Sequence, residues 1–227
     1  MSVALAPPRA MLLDLDGTLV DTVPLRVASW VAAFELEGLA VPPDELGPLM
    51  GADGRWVARE IAGRRGLQLD EVAQERIDRV SGEWFGRHDE GRTTTPGARD
   101  LLLALDAAAI PWAIATSSRP EQTTASVGAL DLRRKPAIVD ASHVRHAKPE
   151  PDLLLAGASQ LGVAPRDVWY VGDARWDMLA AVAAGMVPVA VLTGATGHDE
   201  MREAGARIVV ATLAELIPRL RDARDGH

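Results

Sequence analysis

The chain has 227 residues, of which 48% are hydrophobic and 25% charged, with a formal net charge of −8 and no cysteine. That length suits one sizeable core plus a smaller inserted or appended unit. The acidic balance argues against a nucleic-acid partner, and the missing thiols exclude disulfides, cysteine nucleophiles and Cys-ligated metals. No apolar run approaches the ~20 residues that span a membrane, and the first residues do not read as a secretory leader, since Pro7, Pro8 and Arg9 break their apolar run. A cytoplasmic protein with no membrane partner is expected. Nothing in the sequence speaks to its oligomeric state.

The first element is a short apolar run over residues 10–15, bounded by Pro8 and Gly17 and ending in acids, which reads as a buried strand feeding a loop. From residue 22 to about 87 the pattern turns helical. Leu25, Ala28, Val31 and Ala32 recur at helix spacing, then Val57 and Ile61, then Val72, Ile77, Val80 and Trp84. No strand is expected there. The glycines and prolines around 38–43, 51–54 and 63–66 mark the breaks.

After Pro96-Gly97 helix and strand alternate. Helices are expected over 98–108, 120–130, 151–161, 174–184 and 213–221, and strands over 111–115, 137–139, 168–171, 187–192 and 207–210. Such alternation means an α/β domain with a mostly parallel sheet covered by helices on both faces. The sequence thus divides into a core, 1–21 with 93–227, and an all-helical insert, 22–92.

Ligands of such sheets bind beyond the carboxyl ends of the strands. There the sequence places Asp14-Leu15-Asp16-Gly17-Thr18, Thr116-Ser117-Ser118 and Gly172-Asp173-Ala174-Arg175-Trp176-Asp177, with Lys148-Pro149 ahead of a helix. Four carboxylates converging on one edge repel unless a cation joins them. Oxygen ligands without His or Cys suit a hard ion such as Mg²⁺, and hydroxyls with backbone N–H groups at a helix start suit phosphate. Lys148 is notable because the chain holds only two Lys among its 24 basic side chains. A lysine here points to a need for a compact point charge.

The run from Asp14 to Thr22, followed in order by Thr116, Lys148, Gly172-Asp173 and Asp177, resembles the haloacid dehalogenase-like superfamily over the whole chain. The insert is similar to the small helical cap of its phosphoglycolate phosphatases and β-phosphoglucomutases. The resemblance implies a Rossmann-like core with the cap inserted after the first strand, and a phosphatase acting on a small phosphorylated metabolite through an aspartyl-phosphate. By the same resemblance Asp14 is the nucleophile, and Asp16 the acid and base, its pKa raised by burial and like charge. Thr116 and Ser117 bind phosphate oxygens, and Lys148 holds Asp14 and the phosphate. Mg²⁺ lies on Asp14, the Asp16 carbonyl and Asp173, with Asp177 a ligand directly or through water. Arg26 and Arg55 are weaker candidates for contacting a substrate anion.

Each feature has a plainer reading. Thr116 and Ser117 also suit N-caps of the helix near Pro120, and Asp177 also suits a partner for Arg175. The five histidines share no spacing and read as surface or loop residues. Trp30, Trp56 and Trp84 read as packing in the cap, and Asp44, Glu45, Arg64 and Arg65 as solvated faces. A mutase is disfavoured by Arg26, where those enzymes carry His, and by a cap loop, Gly51-Ala52-Asp53, that lacks their Lys. A dehalogenase lacks the second aspartate present here as Asp16, and a phosphonate-cleaving relative needs a cap lysine. A catalytically silent binding protein is disfavoured because Asp14, Asp16 and Asp173 all stand. A dinucleotide-binding dehydrogenase needs a Gly-x-Gly-x-x-Gly turn, which the first strand lacks.

Overall fold

The structure is a computed structural model that describes residues 5–88, 91–140, 142, 144, 146 and 148–223. Strands β1 (Ala10–Leu13), β2 (Trp112–Ala115), β3 (Ile138–Val139), β4 (Val168–Gly172), β5 (Val187–Val191) and β6 (Ile208–Val210) form one sheet. Its order is β3-β2-β1-β4-β5-β6, every pairing parallel. The central strand is buried on both faces, and its side chains sort by the two-residue period of a strand. Met11 and Leu13, with Trp112, Ile114, Trp169 and Val171, pack in one cluster with α5 (Ala98–Ala107) and a C-terminal 3₁₀ segment, Leu213–Ala223. Ala10 and Leu12, with Ala113, Ala115 and Tyr170, pack in another with α7 (Asp152–Leu161) and α8 (Arg175–Ala183). Truncating one of the fully buried leucines to alanine costs about 2–5 kcal/mol.

Between β1 and α5 lie α1 (Val23–Leu36), α2 (Pro43–Leu46), α3 (Gly54–Arg64) and α4 (Glu71–Arg87), with no named strand. They enclose a separate apolar cluster that includes Trp30, Phe34, Leu46, Ile61 and Ile77. Asp53 and Asp70 begin α3 and α4 by accepting from the N–H of Trp56 and Ala73 at 3.1 and 2.8 Å, an ordinary N-cap. The chain leaves and re-enters the sheet side by side: Asp21 N donates to Thr93 O at 2.9 Å, and Thr95 N to Leu19 O at 3.1 Å.

Core and insert also meet directly. Trp176 of α8 donates from Nε1 to Pro48 O at 3.2 Å and lies edge-on to Trp56, centroids 4.9 Å apart. Arg119, at the start of α6 (Pro120–Ala129), reaches Glu75 and Asp78 of α4 at 2.7 and 2.8 Å. The structure differs from expectation at the C-terminal side. A short helix, α9 (His198–Glu203), was not anticipated, because only Met201 of its six residues is buried. The last segment is 3₁₀ rather than α-helical and carries Pro218 within it, whose ring forbids the regular hydrogen bond. Among the described residues no helix is long and apolar enough to cross a membrane.

Candidate active site

The loops after β1, β2 and β4 meet at one edge of the sheet because parallel pairing points all their carboxyl ends the same way. There Lys148 is 1% exposed and donates from Nζ to Asp14 Oδ1 at 2.8 Å and to Asp177 Oδ1 at 2.7 Å. Burial works against its charge, but Asp14 and Asp177 outweigh it and hold the ammonium well above its ordinary pKa. Asp14 runs the other way. Burial raises its carboxyl from 3.8 to about 7; Lys148 opposes that rise while the charges of Asp177 and Asp16 add to it. Among the described residues no donor meets Asp14 Oδ2, so one oxygen of this carboxylate is anchored and one is open.

Asp173 accepts from Thr18 Oγ1 at 2.8 Å, and among the described residues no cation pairs with it. Burial and the neighbouring Asp177 and Asp14 push its carboxyl well above the usual range. Its position is shaped by what is missing around it: a Cβ on Gly17 would lie 2.3 Å from Oδ2, and one on Gly194 2.2 Å. Asp14, Asp173 and Asp177 each offer an oxygen within 4.8 Å of one another. These are the acids whose mutual repulsion a divalent ion would relieve, and all their donors are hard oxygens. Asp177 is the most committed of the three. Oδ1 takes both Lys148 and the Tyr170 hydroxyl, at 2.9 Å, and Oδ2 accepts from Ala174 N at 2.9 Å, leaving one lone pair. It does not pair with Arg175, which bonds Glu200 at 3.2 Å.

Asp16 departs from expectation. Burial would raise its pKa, but Arg26 above all, then the hydroxyls of Ser118 and Thr22, lower it below the ordinary value. Its Oδ2 accepts from Arg26 Nη2 at 2.8 Å and Ser118 Oγ at 2.6 Å; its Oδ1 accepts from Thr22 Oγ1 at 3.0 Å and Ser126 Oγ at 3.1 Å. Four donors fill the carboxylate and favour its ionised form. Arg26 also donates to Ser118 Oγ and lies 3.5 Å from the centre of the Phe85 ring.

Thr116 Oγ1 accepts from Ser118 N at 3.1 Å, while Ser117 Oγ is buried without a partner among the described residues. Neither caps α6, whose N-cap is Arg119, with the Gln122 side chain accepting from Arg119 N at 3.3 Å. An orphaned buried hydroxyl is uncommon, and a phosphate oxygen would satisfy it. These groups enclose a small chamber of about 80 Å³, roofed by Arg26, Trp30, Leu49, Met50 and Asp78 from the insert. Arg55 stands apart, in a wider cleft of about 840 Å³ that Lys148 also lines, 3.5 Å from Asp53.

Sequence reasoning did not single out Ser126, Asp78, Gln122 or Tyr170. Tyr170 carried a signal: it is the only tyrosine of the chain and sits in a buried strand, where its hydroxyl needs a partner. Trp30 packs in the insert, Trp56 lines the wider cleft, and Trp84 stacks on His88. His88, His146 and His198 are exposed; His143 and His227 lie outside the described residues. Arg65 bonds Glu45 at 3.1 Å rather than facing solvent alone.

The acids at these strand ends lie opposite the helical insert, and residues 11–191 match the model of the haloacid dehalogenase-like hydrolase family. The chain belongs to that family. It is 35% identical to hexitol phosphatase A of Escherichia coli (strain K12) over 81% of this chain and 82% of the relative. It is 29% identical to the phosphoglycolate phosphatase of the same strain over 93% and 92%. The crystal structure of a hydrolase from Pseudomonas syringae superposes with a TM-score of 0.89 at 31% identity, covering 94% of this chain and 98% of the other.

Proposed function

We propose that this family member is a phosphoric monoester hydrolase that transfers the phosphoryl group of a small metabolite to Asp14 and then to water. One observation carries the reading: Asp14 keeps one oxygen fixed by buried Lys148 and one oxygen open, beside an orphaned Ser117 hydroxyl and a second acid, Asp173. The named phosphatases among its relatives agree with it.

In this reading Asp14 Oδ2 attacks phosphorus, and the bond to the leaving oxygen breaks as that oxygen takes a proton from Asp16. Water, giving its proton back to Asp16, then attacks the aspartyl-phosphate and frees inorganic phosphate and Asp14. Splitting the displacement into two halves lowers the barrier of each. Thr116 and Ser117 orient the phosphate, and Lys148 balances its charge. Asp16 must first loosen the donors that hold it ionised and take up a proton from solvent; because Arg26 belongs to α1, a movement of the insert would remove the strongest of those donors. The insert, 22–92, acts as a cap that excludes bulk water.

Mg²⁺ fits the oxygen-only donors. Asp14, the Asp16 carbonyl and Asp173 would hold it, with Asp177 a further ligand directly or through water, and it would neutralise charge on the transferring phosphoryl. The test is turnover of p-nitrophenyl phosphate with Mg²⁺ or EDTA, in wild type and Asp14→Asn. Turnover that needs both the ion and the carboxylate is expected; equal activity in the two proteins refutes the nucleophile.

A further inference from the structure

The roof of the chamber holds a carboxylate for which the phosphoryl chemistry has no use. Asp78 of α4 lines the chamber, and its Oδ2 accepts from Arg119 Nη2 at 2.8 Å. Among the described residues no donor meets its Oδ1. That oxygen lies against the backbone of Gly54, where a Cβ would come within 1.9 Å of it. A residue without a side chain at position 54 is therefore what lets the carboxylate stand where it does. Asp78 lines the chamber at 20% side-chain exposure, so its unbonded acceptor is only partly screened by solvent.

The cations around the same space are already matched. Arg26 is paired with Asp16, and Lys148 with Asp14 and Asp177. In the wider cleft that shares Lys148 as a wall, Asp53, Glu71, Glu75 and Glu150 outnumber Arg55 and Arg59. A leaving group with its own carboxylate or second phosphate would bring negative charge towards negative charge, and like charges brought together in this way suppress binding. A hydroxylated, uncharged leaving group would instead donate to Asp78 Oδ1, a charge-assisted bond. Sites built to bond a substrate hydroxyl discriminate strongly against ligands that lack it.

Resting on the phosphatase reading above, we infer that Asp78 is a specificity residue. It selects uncharged, polyhydroxylated leaving groups, those of sugar and sugar-alcohol phosphates, over phosphomonoesters whose leaving group bears a carboxylate or a second phosphate.

The test is the ratio of kcat/KM for glucitol 6-phosphate to kcat/KM for 2-phosphoglycolate, measured with Mg²⁺ and with p-nitrophenyl phosphate as a third substrate. Wild type should favour the polyol ester by about tenfold or more, and Asp78→Asn should cut the ratio about tenfold. Gly54→Ala should do the same with every charge retained, because the added methyl displaces the Asp78 carboxylate. It therefore serves also if Asp78→Asn does not fold. A wild-type preference for phosphoglycolate, or a ratio unmoved in every folded variant, overturns the inference. Hydrolysis of p-nitrophenyl phosphate alone overturns the inference and leaves the phosphatase standing. Hydrolysis of none of the three overturns both.

Discussion

The catalytic edge and the cap both hold ion pairs at similar distances, yet the two sets carry different weight. Lys148 reaches two carboxylates at 2.7 and 2.8 Å, and all three side chains are at most 5% exposed. Arg65 and Glu45 in the cap meet at 3.1 Å with side chains 23% and 37% exposed. In the first set each ion partner offsets a charge removed from water that solvent cannot reach. In the second, solvent replaces whatever is lost. The catalytic edge depends on hidden charges, whereas the cap's own packing rests on Trp30, Phe34, Leu46 and Ile77, with pairs such as Arg65–Glu45 at its surface.

That contrast can be broken at several points. The largest effect is expected at the hidden edge, where Asp14→Asn should lower kcat for p-nitrophenyl phosphate by about 10³-fold or more, as loss of a covalent nucleophile does. A drop below tenfold would refute its role. Lys148→Ala should cost about 3 kcal/mol in denaturant unfolding at pH 7.5 because it strands two buried carboxylates. It should cost less at pH 5, where Asp14 can carry a proton instead. A loss below about 1 kcal/mol at pH 7.5 would mean that the pair is not the support described.

Mg²⁺ should come next. Folding favours the protonated form of Asp14, whose carboxyl stands at about 7 against an ordinary 3.8. Its stabilising contribution is therefore complete below about pH 3.8 and lost as pH rises through about 7. A cation competes for that same carboxylate. At a hundredfold excess over Kd, Mg²⁺ should stabilise by about 2.7 kcal/mol, and its effect on Tm should be larger at pH 7.5 than at 5.5. An equal or reversed effect would mean that the ion binds elsewhere. Smallest of all, Arg65→Ala in the cap should cost less than about 1 kcal/mol; a loss like that of Lys148→Ala would erase the distinction between the two regions.

The sheet was legible because buried parallel strands are short apolar runs, and each run ends where the chain turns to polar chemistry. Asp14, Asp173 and Lys148 were legible for the same reason, as polar residues placed at strand ends or before a helix. What resisted reading was contact across long separations. Ser118 and Ser126 reach Asp16 across 102 and 110 residues, and no local pattern announces such a bond. The pKa of Asp16 was misjudged on that account: burial and like charge were visible in the sequence, but the Arg26 charge and the hydroxyl donors that outweigh them were not. Asp78 escaped notice because a carboxylate on an amphipathic helix looks like any solvated position. Helix α9 escaped because six polar-rich residues with one buried methionine carry too little periodicity to register.

Three residues that contribute no side chain govern the acids as firmly as any ligand. Gly17 and Gly194 leave room for Asp173 Oδ2, which a Cβ on either would approach to 2.3 and 2.2 Å, and a Cβ on Gly172 would fall 2.4 Å from Asp177 Oδ2. A single methyl at any of the three would evict a carboxylate with every reacting group still encoded. In a saturation screen these positions should therefore score with the aspartates, and an inactive homologue that keeps all its acids would be worth checking first at its glycines.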